Sequence, residues 1–87
     1  MDKLKSAIVK ANKIEEFLSQ DYVKSAWVSV EADIFRMWAL TKTHEQEKRE
    51  EYYRELHGLR AVKARLQKWV NEGKKAEAEL EVEKRHG

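Results

Sequence analysis

Between Arg60 and Lys75 the chain sets Arg60, Lys63, Arg65, Lys68, Lys74 and Lys75 against a single acid, Glu72. On a helix turning about 100° per residue, all but Arg65 fall in one sector. Arg60, Lys63, Lys68, Lys74 and Lys75 would then form a basic ridge a few turns long, with Leu59, Val62, Leu66 and Trp69 opposite. A ridge of this kind can follow a phosphate backbone by charge alone. It lacks the interleaved aromatic and polar side chains that read base edges, so nucleic-acid binding through it would be independent of sequence. A solvated helix face, or one set against an acidic patch on a neighbouring subunit, accounts for the same residues more simply.

The other groups able to do chemistry are scattered. The histidines are His44, His57 and His86. His44 shares a helix face with Glu47 or Glu51, but one imidazole and dispersed carboxylates make a poor metal site. The Glu-x-x-His pairs of di-iron bundles are missing, because Thr41 and Arg54 stand three residues before His44 and His57. Ser6, Ser19, Ser25 and Ser29 have no histidine near them in sequence, and no glycine-rich loop cradles phosphate. The acid pairs Glu15–Glu16 and Glu31–Asp33 imply no cleft. Cysteine is absent, which removes disulfides, thiolate catalysis and cysteine-ligated zinc. The sequence therefore predicts a non-enzyme with no metal and no cofactor.

Composition says what must carry these side chains. The chain has 87 residues, of which 39% are charged and 41% hydrophobic, with three glycines and no proline. That profile points to long, water-exposed helices in one small domain. A formal charge of +2 gives no global argument for nucleic acid. No apolar run approaches the length of a membrane span, and the first residues are amphipathic rather than signal-like. A soluble, cytoplasmic protein is expected, with no membrane partner.

Periodicity divides the chain into three helices. Leu4, Ala7, Ile8, Ala11, Ile14, Phe17 and Leu18 recur at spacings of three and four and predict a helix over 2–18. Ser19 or Asp21 can cap a second helix over 22–41, whose stripe is Val23, Trp27, Val30, Ile34, Met37 or Trp38, and Thr41. Thr43 and Gln46 read as a capping box opening a third helix over 44–72. Its stripe is Tyr52, Leu56, Leu59, Val62, Leu66, Trp69 and Val70, and Glu45–Arg49 and Glu50–Arg54 have ion-pair spacing. Gly73 can end this helix, or the helix continues as a fraying tail over 73–87 through Ala76 and Leu80. A turn of a few residues makes the two long helices an antiparallel, coiled-coil-like hairpin, with the first helix laid on it or on a neighbouring chain. The fold class is all-α.

Three features of this hairpin bear on partners. A glycine inside a helix costs roughly 0.5–1 kcal/mol relative to alanine, so Gly58 is expected to allow close packing against Trp27, Phe35 or Trp38, the alternative being a hinge that lets the long helix bend. Tyr52 and Tyr53 are adjacent and cannot both point inward, which makes one of them an interface candidate. The third helix is longer than the second can cover, leaving Ala76 and Leu80 as further interface candidates. The expected packing residues are Trp27, Ile34, Trp38, Leu56, Gly58, Leu59, Leu66 and Trp69.

The stretch REEYYRELHGLRAVKARLQKWVNEGK (49–74), with LSQDYVKSAWVSVEADI (18–34) before it, resembles short helical proteins of tailed bacteriophages and prophages. The matching positions are Trp27, the Arg-Glu-Glu of 49–51, Gly58-Leu59, and the run from Lys63 to Leu66. Such proteins are often encoded near head-assembly genes and mostly lack an assigned activity. The resemblance implies a virion-associated or assembly role in the host cytoplasm or the virion. It identifies no binding residue. Taken together, the expectation is a self-associating structural or interaction protein, with two alternatives left open. One is a sequence-independent nucleic-acid-binding module using the basic ridge; the other is an adaptor or inhibitor docked on a host protein.

Overall fold

The computed structural model describes residues 2–86 and is all-helical, with α1 (Asp2–Ser19), α2 (Asp21–Ala39) and α3 (Gln46–His86) in order. Among these residues there is no strand. Gln20 alone separates α1 from α2. The Ser19 hydroxyl donates to the Glu16 carbonyl at 2.8 Å, and the Gln20 side-chain amide donates to the same carbonyl at 3.1 Å. Ser19 thus satisfies a last-turn acceptor of α1 rather than capping the helix that follows. Asp21 lies in the first turn of α2, where the helix dipole favours its charge.

The connection from α2 to α3 is built on a different pair from the expected Thr43 and Gln46. The Glu45 amide donates to the Lys42 carbonyl at 2.9 Å, and the Glu45 carboxylate accepts from the Lys42 amide, also at 2.9 Å. The two residues close the turn reciprocally, three positions apart as in a capping box but one register earlier. The Glu45 carbonyl then accepts from Arg49 at 3.1 Å, which starts α3. Lys48, not Arg49, is the ion partner of Glu45, at 3.2 Å.

The bond from the Lys42 amide, then that from Lys48, hold the Glu45 carboxyl below the usual glutamate pKa. A lowered acid pKa stabilises the folded state above the ordinary glutamate value, and this contribution disappears as pH falls through the lowered value. An NMR titration should show Glu45 titrating below the ordinary glutamate value, with faster exchange of the Lys42 amide as it protonates. Glu45→Gln should abolish that pH dependence of exchange.

The chain forms two compact units, one consisting of Asp21–Lys63 and the other of α1 with α3 from Ala64 onward. In the first, α2 lies along the beginning of α3, with Val23 and Leu56 buried and Trp27, Ile34, Tyr52 and Leu59 half-buried. Trp27 meets Lys63, Glu31 meets Arg60 and Trp38 meets Arg49, so positions on α3 rise as those on α2 fall. Trp38 stands at the edge of this core rather than inside it. The buried stripe of α3 centres on Leu56 with Tyr52 and Leu59 beside it. Val62, expected on that stripe, is 53% exposed.

Gly58 does not close the packing as expected. A Cβ built on it meets nothing within 4 Å, and the residue is exposed. Two positions beyond Leu56, it sits about 200° around the helix from the buried stripe. Gly58→Ala should therefore raise stability by about 0.5–1 kcal/mol, measured by urea unfolding, because only the backbone entropy of glycine is removed.

In the other unit, Ala11 of α1 and Val70, Gly73 and Ala76 of α3 are buried. Leu4, Ala7, Ile8, Ile14 and Leu18 on α1, and Leu66, Trp69 and Leu80 on α3, are half-buried around them. The helix runs through Gly73 without a left-handed residue, so Gly73 is not a C-terminal stop. It is the close-approach glycine of the chain. A Cβ there would overlap that of Ala11 and lie 3.0 Å from the Ala7 carbonyl oxygen. Ala76, expected to be free for an interface, is buried within the unit, and Leu80 is half-buried. The part of the α3 stripe that α2 does not reach is covered by α1, so excess stripe on α3 gives no argument for a partner.

Candidate interaction surface

Each tryptophan is met by a cation from the facing helix. Lys10 Nζ stands 3.8 Å from the Trp69 ring centroid, the Arg49 guanidinium 5.0 Å from Trp38, and Lys63 Nζ 5.7 Å from Trp27. The ring quadrupole attracts each cation, worth about 0.5–1 kcal/mol where water reaches the pair. The aliphatic stems of Lys63 and Arg49 also cover apolar surface, which explains why both are half-buried at positions where an apolar residue would fit the helical spacing. These pairings were missed in the sequence. The available signal was a cation at each of two stripe positions, 49 and 63, seven apart from Leu56 on either side.

These contacts draw on the basic ridge. Arg60 reaches Glu31 at 3.4 Å, Lys63 lies over Trp27, and Lys74 pairs with Glu15 at 3.4 Å. Lys68 and Lys75 are exposed. The sector proposed for the ridge overlaps the side of α3 that faces α2, because the stripe is centred on Leu56. Three of the five cations are therefore held in intrachain contacts, each exposed ion pair contributing about 0–1 kcal/mol. Among the described residues, no three histidine, aspartate or glutamate side chains converge on a possible metal position.

The apolar surface is concentrated elsewhere. In the Asp21–Lys63 unit, a cleft of about 210 Å³ has Ile34, Tyr52 and Leu56 at its base, with Phe35, Trp38, Tyr53 and Arg60 along its sides. Of the two tyrosines, Tyr52 is half-buried and Tyr53 is 59% exposed, its ring meeting the His57 ring edge-on at a centroid distance of 4.4 Å. On α2, Phe35 in the cleft wall is 49% exposed, and Val28, two turns earlier, is 67% exposed. Tyr22 is exposed on a different side of the same helix, and Leu40 is exposed just past its end. An apolar set of this extent, next to an aromatic-lined cleft, suits contact with another protein surface. No helix among the described residues is long and apolar enough to cross a membrane. Comparison with protein-family models, with curated proteins and with solved structures gave no match for this chain.

Proposed function

We propose that the chain is a non-enzymatic structural or protein-interaction component that associates with itself. The observation carrying this reading is the apolar surface that α2 leaves exposed at Val28 and Phe35, together with Tyr53 beside it on α3. The thin interior supports it as well. Among the described residues only Ala11, Val23, Leu56, Val70 and Ala76 form the buried hydrophobic core, and two of these are alanines. A core that small supplies little stability to a domain of this length, and association would add to it.

In this reading α2 and the start of α3 act as an antiparallel, coiled-coil-like helical hairpin, supported by the order of the contacts Trp27–Lys63, Glu31–Arg60 and Trp38–Arg49. The resemblance of residues 18–34 and 49–74 to small phage proteins favours a role in a virion or its assembly, within a host cytoplasm. Light scattering across a range of concentration tests the core of the reading. A defined dimer or larger assembly is expected. A monomer at every concentration to about 100 µM overturns it, and the exposed surface would then be assigned to a different protein.

A further inference from the structure

The side of α2 that faces α3 runs through Val23, Trp27 and Ile34 with Trp38 at its edge, and the helix carries a second series roughly 120° away. Val28, Ala32, Phe35 and Ala39 follow one another at spacings of four, three and four, and all four are exposed. This is the a/d spacing of a coiled-coil seam, on a face that nothing in the chain covers. We propose that this seam is the contact between two copies of the chain, paired antiparallel through α2 about a two-fold axis. The proposal rests on the self-association reading and adds its surface and geometry.

Two observations select a second copy as the occupant. First, the seam is self-complementary. In the antiparallel register that sets Phe35 opposite Ala32 of the other copy, Val28 falls opposite Ala39, so each large side chain meets a small one. An isologous two-fold contact requires this of a single surface. Second, no charge is stranded by closing it. Within the paired stretch 28–39 the charged residues are Glu31, Asp33 and Arg36, and all are already paired within the chain, Glu31 with Arg60 and Arg36 with Asp33.

The test uses the full chain, which lacks cysteine. Light scattering is run on the unaltered protein, on Phe35→Glu, and on Leu40→Glu, just past the end of α2 and away from the seam, as a control. Dimer for the unaltered chain and the control, with a helical monomer for Phe35→Glu by circular dichroism, is the expected result. A dimer that survives Phe35→Glu overturns the seam and leaves self-association standing, whereas a monomeric unaltered chain overturns both. Should Phe35→Glu unfold, oxidation of cysteine variants decides. In the antiparallel register residue 28 faces 39 of the partner, while the two copies of residue 28 lie about 16 Å apart along the axis, too far for a disulfide. The double variant Val28→Cys, Ala39→Cys should therefore cross-link to a dimer and Val28→Cys alone should not. Cross-linking by the single variant, or none by the double, overturns the proposal.

Discussion

Replacing Gly73 with alanine is expected to destabilise the chain by about 2 kcal/mol, although alanine is the better helix former by roughly 1 kcal/mol. The added methyl would fall on the Ala11 Cβ and 3.0 Å from the Ala7 carbonyl oxygen. Neither atom is the end of a flexible side chain, so relief requires α1 to move bodily away from α3. That movement opens the contacts around Val70 and Ala76, which are buried at the same place. Overpacking of this kind costs about 1–3 kcal/mol, and the rigid obstacle places Gly73 at the upper end. A midpoint of thermal unfolding lower by roughly 10 °C is expected at fixed protein concentration. The double variant Gly73→Ala, Ala11→Gly moves the small residue to the other helix and should recover much of the loss. If the two changes simply add, the close approach of these helices is not what Gly73 is for. Gly58→Ala is the internal comparison, since the same substitution in the same helix should stabilise.

The opposite fates of the two glycines show what periodicity can and cannot convey. The existence and type of all three helices followed from apolar spacing, and so did Ala11, Val23, Leu56 and Val70 as apolar stripe positions. The glycines did not follow, because a glycine leaves no apolar mark to place it on one side of the helix. Gly58 lies in the middle of the strongest pattern and suggested packing, yet it stands about 200° from Leu56. Gly73 follows Asn71 and Glu72, which imitate a helix end, yet it continues the face of Val70 and Ala76. Cations at stripe positions are hard to place for a related reason. Lys63 and Arg49 have long apolar stems, so they occupy buried-side positions while counting as charge in any pattern. At the α2–α3 turn, Thr43 and Gln46 have the right spacing for a cap. Glu45 displaces them because a carboxylate three residues beyond Lys42 is the stronger acceptor and also meets Lys48.

The placement of the α3 stripe carries the second large prediction. Leu56→Ala should cost about 2–4 kcal/mol, because Leu56 is 7% exposed and its loss leaves a void among Ile34, Tyr52 and the neighbouring aromatic side chains. Val62→Ala should change stability by no more than about 0.5 kcal/mol, because the side chain already stands mostly in water. Both are apolar residues on the stripe that spacing alone suggests, so composition gives no reason for the difference. Only the rotation of α3 about its axis does. If the stripe were centred on Leu59, Val62, Leu66 and Trp69, the two substitutions would cost comparable amounts, and the basic ridge would stand clear of α2 as one continuous face. With Leu56 at the centre, Arg60 and Lys63 are turned towards Glu31 and Trp27 instead. Urea unfolding of both variants at one concentration therefore measures two things together, the register of the core and the availability of the cations. A large loss for Leu56 alone places the ridge's first two cations against α2, where a phosphate backbone could be reached only by breaking contacts that the fold itself makes.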